Sequence, residues 1–199
     1  HEHNDHITGA GVISRRMKIP VFANAGTFEG AAPKLGKLHQ KNEFTTGDQV
    51  TFQDLQIRSF RTLHDTNDPV GYVISDGQHS IGYCTDTGKV THLMAARLLK
   101  CNALILEFNH DLEMLKNGPY PLALQQRVRS SHGHLANEDA AEFLMHLLNE
   151  NLQYVVLAHL SETNNLPDIA HKAAFKVSQT SQCNLVIASQ NNPTPIIKL

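Results

Sequence analysis

Two hydrophobic periods divide the chain. Between residues 44 and 61 apolar and polar positions alternate around Thr46-Gly47, which predicts strands joined by tight turns. The alternation continues from 70 to 84 as a hairpin, with Val73 and Ile74 on one arm, Ile81 and Tyr83 on the other and Asp76-Gly77 at the bend. Past Cys84 the spacing turns helical through Val90, Leu93, Met94 and Leu98. The unbroken apolar run Ala103-Leu104-Ile105-Leu106 then predicts a strand covered on both faces. Helix followed by strand returns twice. Residues 137–149, with Ala140, Leu144, Leu147 and Leu148 on one face, precede Tyr154-Val155-Val156-Leu157, and residues 167–180 precede Leu185-Val186-Ile187-Ala188. Ahead of all this, residues 8–17 are expected to be helical, Pro20 to stop that helix and Val21-Phe22-Ala23 to form a short strand. A meander followed by helix–strand alternation describes one α/β sandwich, with sheets inside and helices outside. With no repeat, low-complexity stretch or long linker, the prediction is a single domain over residues 1–199.

Composition narrows this picture without changing it. A chain of 199 residues with 41% hydrophobic content buries one sizeable core, and two would be cramped. The net charge of -2 lacks the basic footprint of a protein that coats nucleic acid, so a phosphate-rich partner must be held locally. Local candidates are Arg15-Arg16 with Lys18, the Lys34, Lys37 and Lys41 stretch, and Arg127 with Arg129. Cys84, Cys101 and Cys183 are odd in number and far apart, which argues against a disulfide framework and for a reducing compartment. No apolar run approaches a membrane span and no basic-then-apolar leader is present, so a soluble, cytoplasmic protein is expected.

The chemistry starts at residue 1. His1-Glu2-His3-Asn4-Asp5-His6 gathers four potential metal ligands, His1, His3, Asp5 and His6, more densely than folding requires. Interrupted by Glu2, Asn4 and Asp5, it is unlike the unbroken histidine run of a purification tag. Two histidines separated by one residue point the same way from an extended segment and can share a cation. Asp5-His6 is then left for a second ion, and such an oxygen-and-nitrogen set suits zinc or manganese. Because a ligand motif needs a strand before it to aim the imidazoles, the first strands of the fold are expected to be missing from this sequence. A two-metal hydrolase needs further ligands, and three isolated residues stand at predicted strand ends: His64, Asp86 and His159. His39, His79, His92, His146 and His171 lack ligand-like spacing and are expected to be structural or exposed.

In chain order, H-x-H-x-D-H, the lone His64, Asp86 within Thr85-Asp86-Thr87-Gly88, and His159 after an apolar strand resemble the motifs of the metallo-β-lactamase superfamily over essentially the whole chain. Four further stretches look like its YycJ/WalJ branch: Leu63-His64-Asp65 with Pro69-Val70-Gly71-Tyr72; Leu106-Glu107-Phe108-Asn109-His110-Asp111; Gly133-His134-Leu135-Ala136-Asn137-Glu138; and His159-Leu160-Ser161-Glu162 with Asn164-Asn165. That branch is regarded as bacterial cytoplasmic metal-dependent nucleases with 5′-to-3′ exonuclease activity on DNA, similar in core to ribonuclease Z and ribonuclease J. The resemblance implies an αββα sandwich of two mixed sheets, its first strands missing here, and two divalent ions, Zn2+ or Mn2+, as cofactor. Carried over residue by residue, it puts His1, His3 and His64 on the first ion and Asp5, His6 and His159 on the second. Asp86 would bridge them, and Asp5 would orient the attacking water.

His134 falls where ribonuclease Z-like enzymes carry a histidine that serves the leaving oxygen, and the poor leaving group of a phosphodiester calls for such an acid. Asn137 is expected to cap the helix that follows. His110, Arg127 and Arg129 are the candidate substrate contacts, with His110 alternatively placed to touch the groups that support the ligands. The implied reaction is hydrolysis of nucleic acid, DNA ahead of RNA, by metal-activated water attacking phosphorus. The same frame also serves thioester and lactone hydrolases, which have no need of His134 in that role, and a non-catalytic regulatory module could keep it as scaffold.

Overall fold

The computed structural model describes residues 1–179 and 181–199. The chain begins with helices α1 (Asn4–Ile7) and α2 (Ala10–Met17), then strand β1 (Pro20–Ala23), helix α3 (Ala25–Leu35) and strand β2 (Gln40–Glu43). Four strands follow without interruption: β3 (Gln49–Phe52), β4 (Leu55–Arg61), β5 (Val70–Ser75) and β6 (Ser80–Cys84). The second half runs α4 (His92–Leu98), β7 (Ala103–Glu107), α5 (Leu112–Asn117), α6 (Leu122–Val128), α7 (Asn137–Leu147), β8 (Tyr154–Ala158), α8 (Pro167–Ser178) and β9 (Asn184–Ile187). Thr180, the predicted end of that last helix, lies outside the described residues.

The strands from β3 to β9 form one sheet in sequence order, antiparallel as far as β6 and parallel from there to β9. This switch is the change of period seen in the sequence: hairpins join antiparallel neighbours, whereas parallel neighbours need a crossover helix. One turn differs from expectation. The tight turn between β3 and β4 falls after Phe52, where Gln53 adopts φ 55°, while Thr46-Gly47 lies in the turn that leads into β3. β1 and β2 make a separate parallel pair joined through α3.

Helices α4, α7 and α8 place Met94, Leu98, Leu144, Leu147, Ala170 and Ala174 in one buried cluster with Leu104 and Leu106 of β7 and Val155 and Leu157 of β8. Each large apolar side chain buried there contributes roughly 1.5–3 kcal/mol. Strand alternation then turns Ile105 and Glu107 to the opposite face of β7. A smaller core of Ile7, Ala23, Phe28, Ala31 and Leu35 secures the N-terminal helices and β1. The Asn24 side chain joins that unit to the large sheet: it caps α3 by accepting from the Thr27 amide at 2.9 Å and donates to the Asp68 carbonyl at 2.7 Å. Glu2 does the same for the first ligands, accepting from the Asn67 amide at 2.8 Å. It packs so tightly on Gly30 of α3 that a Cβ there would lie 2.5 Å from Glu2 Cγ.

The consequence for function is directional. β4, β6, β7 and β8 all run the same way, so the residues that follow them leave the sheet at one edge. Carboxyl ends of strands are where α/β sheets commonly hold ligands. Among the described residues, no helix is long and apolar enough to cross a membrane.

Candidate metal centre and active site

At that edge the structure gathers His64 from beyond β4, Asp86 from beyond β6, Glu107 from the end of β7 and His159 directly after β8, with the N-terminal segment laid across them. All seven sequence-expected ligands converge. His1, His3 and His64 form one group, and Asp5, His6, Asp86 and His159 another. In the first, His3 Nδ1 lies 3.2 Å from His64 Nε2. In the second, His6 Nε2 is 3.4 Å from Asp5 Oδ2 and 3.2 Å from Asp86 Oδ2, and His159 Nε2 is 3.5 Å from both Asp5 Oδ2 and Asp86 Oδ1. Asp86 Oδ1 also stands 3.8 Å from His1 Nε2 and 3.7 Å from His64 Nε2, so its carboxylate touches both groups.

Bonds of about 2.0–2.1 Å to one tetrahedral ion put neighbouring ligand atoms about 3.4 Å apart, the spacing found here. His1 Nε2 and Asp86 Oδ2 are buried without a hydrogen-bond partner, a costly state that a cation at each position would relieve. The donor set therefore fits two divalent cations.

The outer contacts fix which ring nitrogens face inward. His64 Nδ1 donates to the Gly133 carbonyl at 2.9 Å, leaving the Nε2 lone pair free. His159 Nδ1 and His134 Nδ1 both donate to Glu107 Oε1, each at 2.8 Å. The other carboxylate oxygen accepts from the Thr87 and Leu135 amides at 3.2 and 3.1 Å. Glu107 is 0% exposed, and four donors satisfy its charge. Burial alone would protonate it, but these partners hold it ionised, below the usual carboxylate range. Burial likewise opposes charge on His134, but the Glu107 hydrogen bond together with the charges of Glu107 and Asp86 outweighs it, raising the imidazole above its ordinary value. The His159 hydrogen bond holds Asp5 down at about 2.

Backbone strain marks the same edge. Asp86 and His159 adopt left-handed φ of 58° and 57°, which for a non-glycine residue costs of order 1–3 kcal/mol. Gly88 keeps the Asp86 turn locked to the segment before His134: a Cβ there would sit 2.1 Å from the Ser130 carbonyl oxygen. The Asn109 side chain donates to the His159 carbonyl at 2.9 Å, and Asn137 and Asn165 pair through reciprocal amide bonds of 2.9 and 3.0 Å. Asn137 is thus not the helix cap. Ala136 takes that position, and the Asn137 side chain braces the loop after His159 instead.

Residues 1–159 match the family described as the beta-lactamase superfamily domain. The chain belongs to the beta-lactamase superfamily. It is 37% identical over 179 residues to exodeoxyribonuclease YycJ of Bacillus anthracis, covering 89% of this chain and 68% of that protein. To exodeoxyribonuclease WalJ of Streptococcus pneumoniae it is 38% identical over 189 residues, covering 93% of this chain and 70% of that protein. Among solved structures, the metallo-beta-lactamase fold protein YhfI of Bacillus subtilis superimposes with a TM-score of 0.72 at 20% identity, over 94% of this chain and 72% of that one. The fold is therefore that of the metallo-beta-lactamases.

Against this superfamily background, the remaining expected residues separate. His134 joins the site, with Nδ1 4.0 Å from Asp86 Oδ1. His110 is 1% exposed, and burial pushes its imidazole down to about 4. Arg127 pairs with Asp65 beside the first group, whereas Arg129 is exposed and makes no ion pair among the described residues. His39, His79, His92, His146 and His171 are exposed or half-exposed and join no ligand group. Glu107 was not among the expected site residues. Its signal was a carboxylate ending an otherwise unbroken apolar strand, where a buried charge demands a partner. Beside the second group opens a cavity of about 1050 Å³, bordered by Asp5, His6, His134, His159, Tyr83 and Tyr120, with no Lys or Arg in its wall.

Proposed function

We propose that this chain, acting as one domain over residues 1–199, is a two-metal phosphodiesterase that cuts nucleic acid, with DNA its substrate. The observation that carries this reading is the shared Glu107 carboxylate, which ties His134 to the candidate ligand His159. An alkoxide departing from phosphorus needs a proton, and His134 is built to supply one. The names of the YycJ and WalJ relatives support the substrate class.

His1, His3 and His64 would hold the first cation, Asp5, His6 and His159 the second, and Asp86 both. Cations held there would lower the pKa of water and would neutralise charge growing on the phosphoryl oxygens. Asp5, ionised and more than half exposed, would orient the attacking water, whose proton leaves to solvent. The new P–O bond forms as the bond to the leaving oxygen breaks, and His134 Nε2, left free because Nδ1 is committed to Glu107, gives that oxygen its proton. The wide cavity beside His134 accommodates the departing nucleotide.

The test is digestion of 5′-phosphorylated, end-labelled single- and double-stranded DNA with Mn2+ or Zn2+. Mononucleotides released first from the 5′ end are expected. Hydrolysis of a thioester or lactone with every phosphodiester left intact would contradict the reading.

A further inference from the structure

Arg127 sits in the last turn of α6, and its guanidinium Nε contacts Asp65 Oδ2. The other oxygen of that carboxylate faces inward, 3.6 Å from His64 Nε2 and 3.9 Å from His3 Nε2. Asp65 thus stands between the first ligand group and an arginine, one carboxylate's width from the histidines. The Arg127 side chain is 58% exposed, and Asp65 is its one hydrogen-bond or ion-pair partner among the described residues. Its terminal nitrogens have no hydrogen-bond partner among the described residues.

The backbone that carries it is fixed. Gly133 packs on the end of α6 so closely that a Cβ would lie 2.1 Å from the Val128 carbonyl oxygen and 2.3 Å from that of Arg127. Gly88 pins the same segment to the Asp86 turn, so Arg127, His134 and Asp86 belong to one rigid block. Arg129 lies in the same segment, but its side chain makes no hydrogen bond or ion pair among the described residues that would aim it at the site.

We propose that Arg127, positioned by Asp65, is a specificity-determining residue that clamps a phosphate of the polynucleotide next to the one being cleaved; the inference rests on the nuclease reading above. Three points carry it. Guanidinium forks bind phosphate bidentately, and pairing through Nε leaves the terminal nitrogens for that contact. Every nucleotide along a strand carries a phosphate, so a cation one carboxylate removed from the ligands is placed for a phosphate next to the one at the ligands. The cavity on the other side, with no Lys or Arg in its wall, offers no such anchor.

The experiment compares wild type, Arg127→Ala and Arg127→Lys, each metal-loaded, on an oligodeoxynucleotide and on bis(p-nitrophenyl) phosphate, which has one phosphate and no neighbour. For Arg127→Ala, kcat/KM on the oligonucleotide is expected to fall about ten- to hundredfold further than on the small diester, and its salt slope by about one. Bound metal should match wild type. Arg127→Lys should restore the salt slope but only part of the rate, because an ammonium lacks the fork. Equal losses on both substrates together with lost metal would show that Arg127 acts through Asp65 and His3, and would overturn the proposal. So would equal rates in all three proteins. A wild type that hydrolyses the small diester but no oligonucleotide would overturn the nuclease reading, and the clamp with it, while leaving a phosphodiesterase.

Discussion

Asp86→Ala is expected to lose phosphodiester hydrolysis by at least about a thousandfold, the scale on which a single preorganised electrostatic group acts. It should also bind fewer than two metal ions. Asp86 is nearly fully buried, and its two oxygens contact His1, His6, His64 and His159 at 3.2 to 3.8 Å. Burial alone would keep it protonated, but His6 and His159 hold it well below the ordinary carboxylate range. Without it, five imidazoles remain with Asp5 as the one other carboxylate of the ligand set, and no member of that set joins the two groups. The left-handed φ of 58° at this position is no easier for alanine, which keeps a Cβ, so a melting curve accompanies the assay to separate lost function from lost fold. Metal analysis after dialysis, alongside hydrolysis of bis(p-nitrophenyl) phosphate, checks both halves. Two ions retained with a rate within about tenfold of wild type would refute the bridging role, because loss of a shared ligand should cost far more.

The second large effect is at Glu107. Glu107→Gln conserves shape but not hydrogen bonding, because both carboxylate oxygens accept from two donors each. Whichever way the amide turns, its NH2 faces two donors, so either the histidines or the Thr87 and Leu135 amides lose their acceptor. The unmet donors cost about 1–3 kcal/mol of stability. With the tautomers of His134 and His159 released together, kcat should fall by about 10²–10⁴.

The pH profile separates this from simple unfolding. Glu107 raises His134 above its ordinary value, so in wild type the protonated acid persists as pH rises and is lost only through that raised value. In Glu107→Gln the loss moves to lower pH, and the basic limb of the kcat profile is expected to shift in that direction at saturating metal. A profile identical to wild type would remove Glu107 from the proton path.

The candidate ligands were legible because isolated ionisable residues ended predicted strands: His64, Asp86 and His159 each follow an apolar segment whose burial makes the polar residue conspicuous. Glu107 was harder to see, although it ends Ala103-Leu104-Ile105-Leu106 in the same manner, because a charge on a doubly covered strand reads as the strand's end. Its role depends on His134 and His159, which the fold brings to it from distant positions. Contact between residues far apart in sequence also decided Asn137, whose partner is Asn165, and Arg127, whose partner is Asp65.

Elements with little periodicity escaped prediction for local reasons. β2 is Gln40-Lys41-Asn42-Glu43, a polar edge strand with no buried residue to mark it. Helix α3 carries Gly26, Gly30 and Pro33, which weaken its intrinsic propensity; its Asn24 cap and the buried Phe28, Ala31 and Leu35 hold it in place. The meander and the later helix–strand alternation were readable because each carried the period of its own geometry.

The measurement that bears most directly on the central claim is titration of the metal-free protein with Mn2+ or Zn2+, recording bound ions and phosphodiester hydrolysis together. Two ions per chain are expected, with hydrolysis appearing as both positions fill. Undiminished hydrolysis in the presence of chelator, or saturation at a single ion with full activity, would contradict that claim.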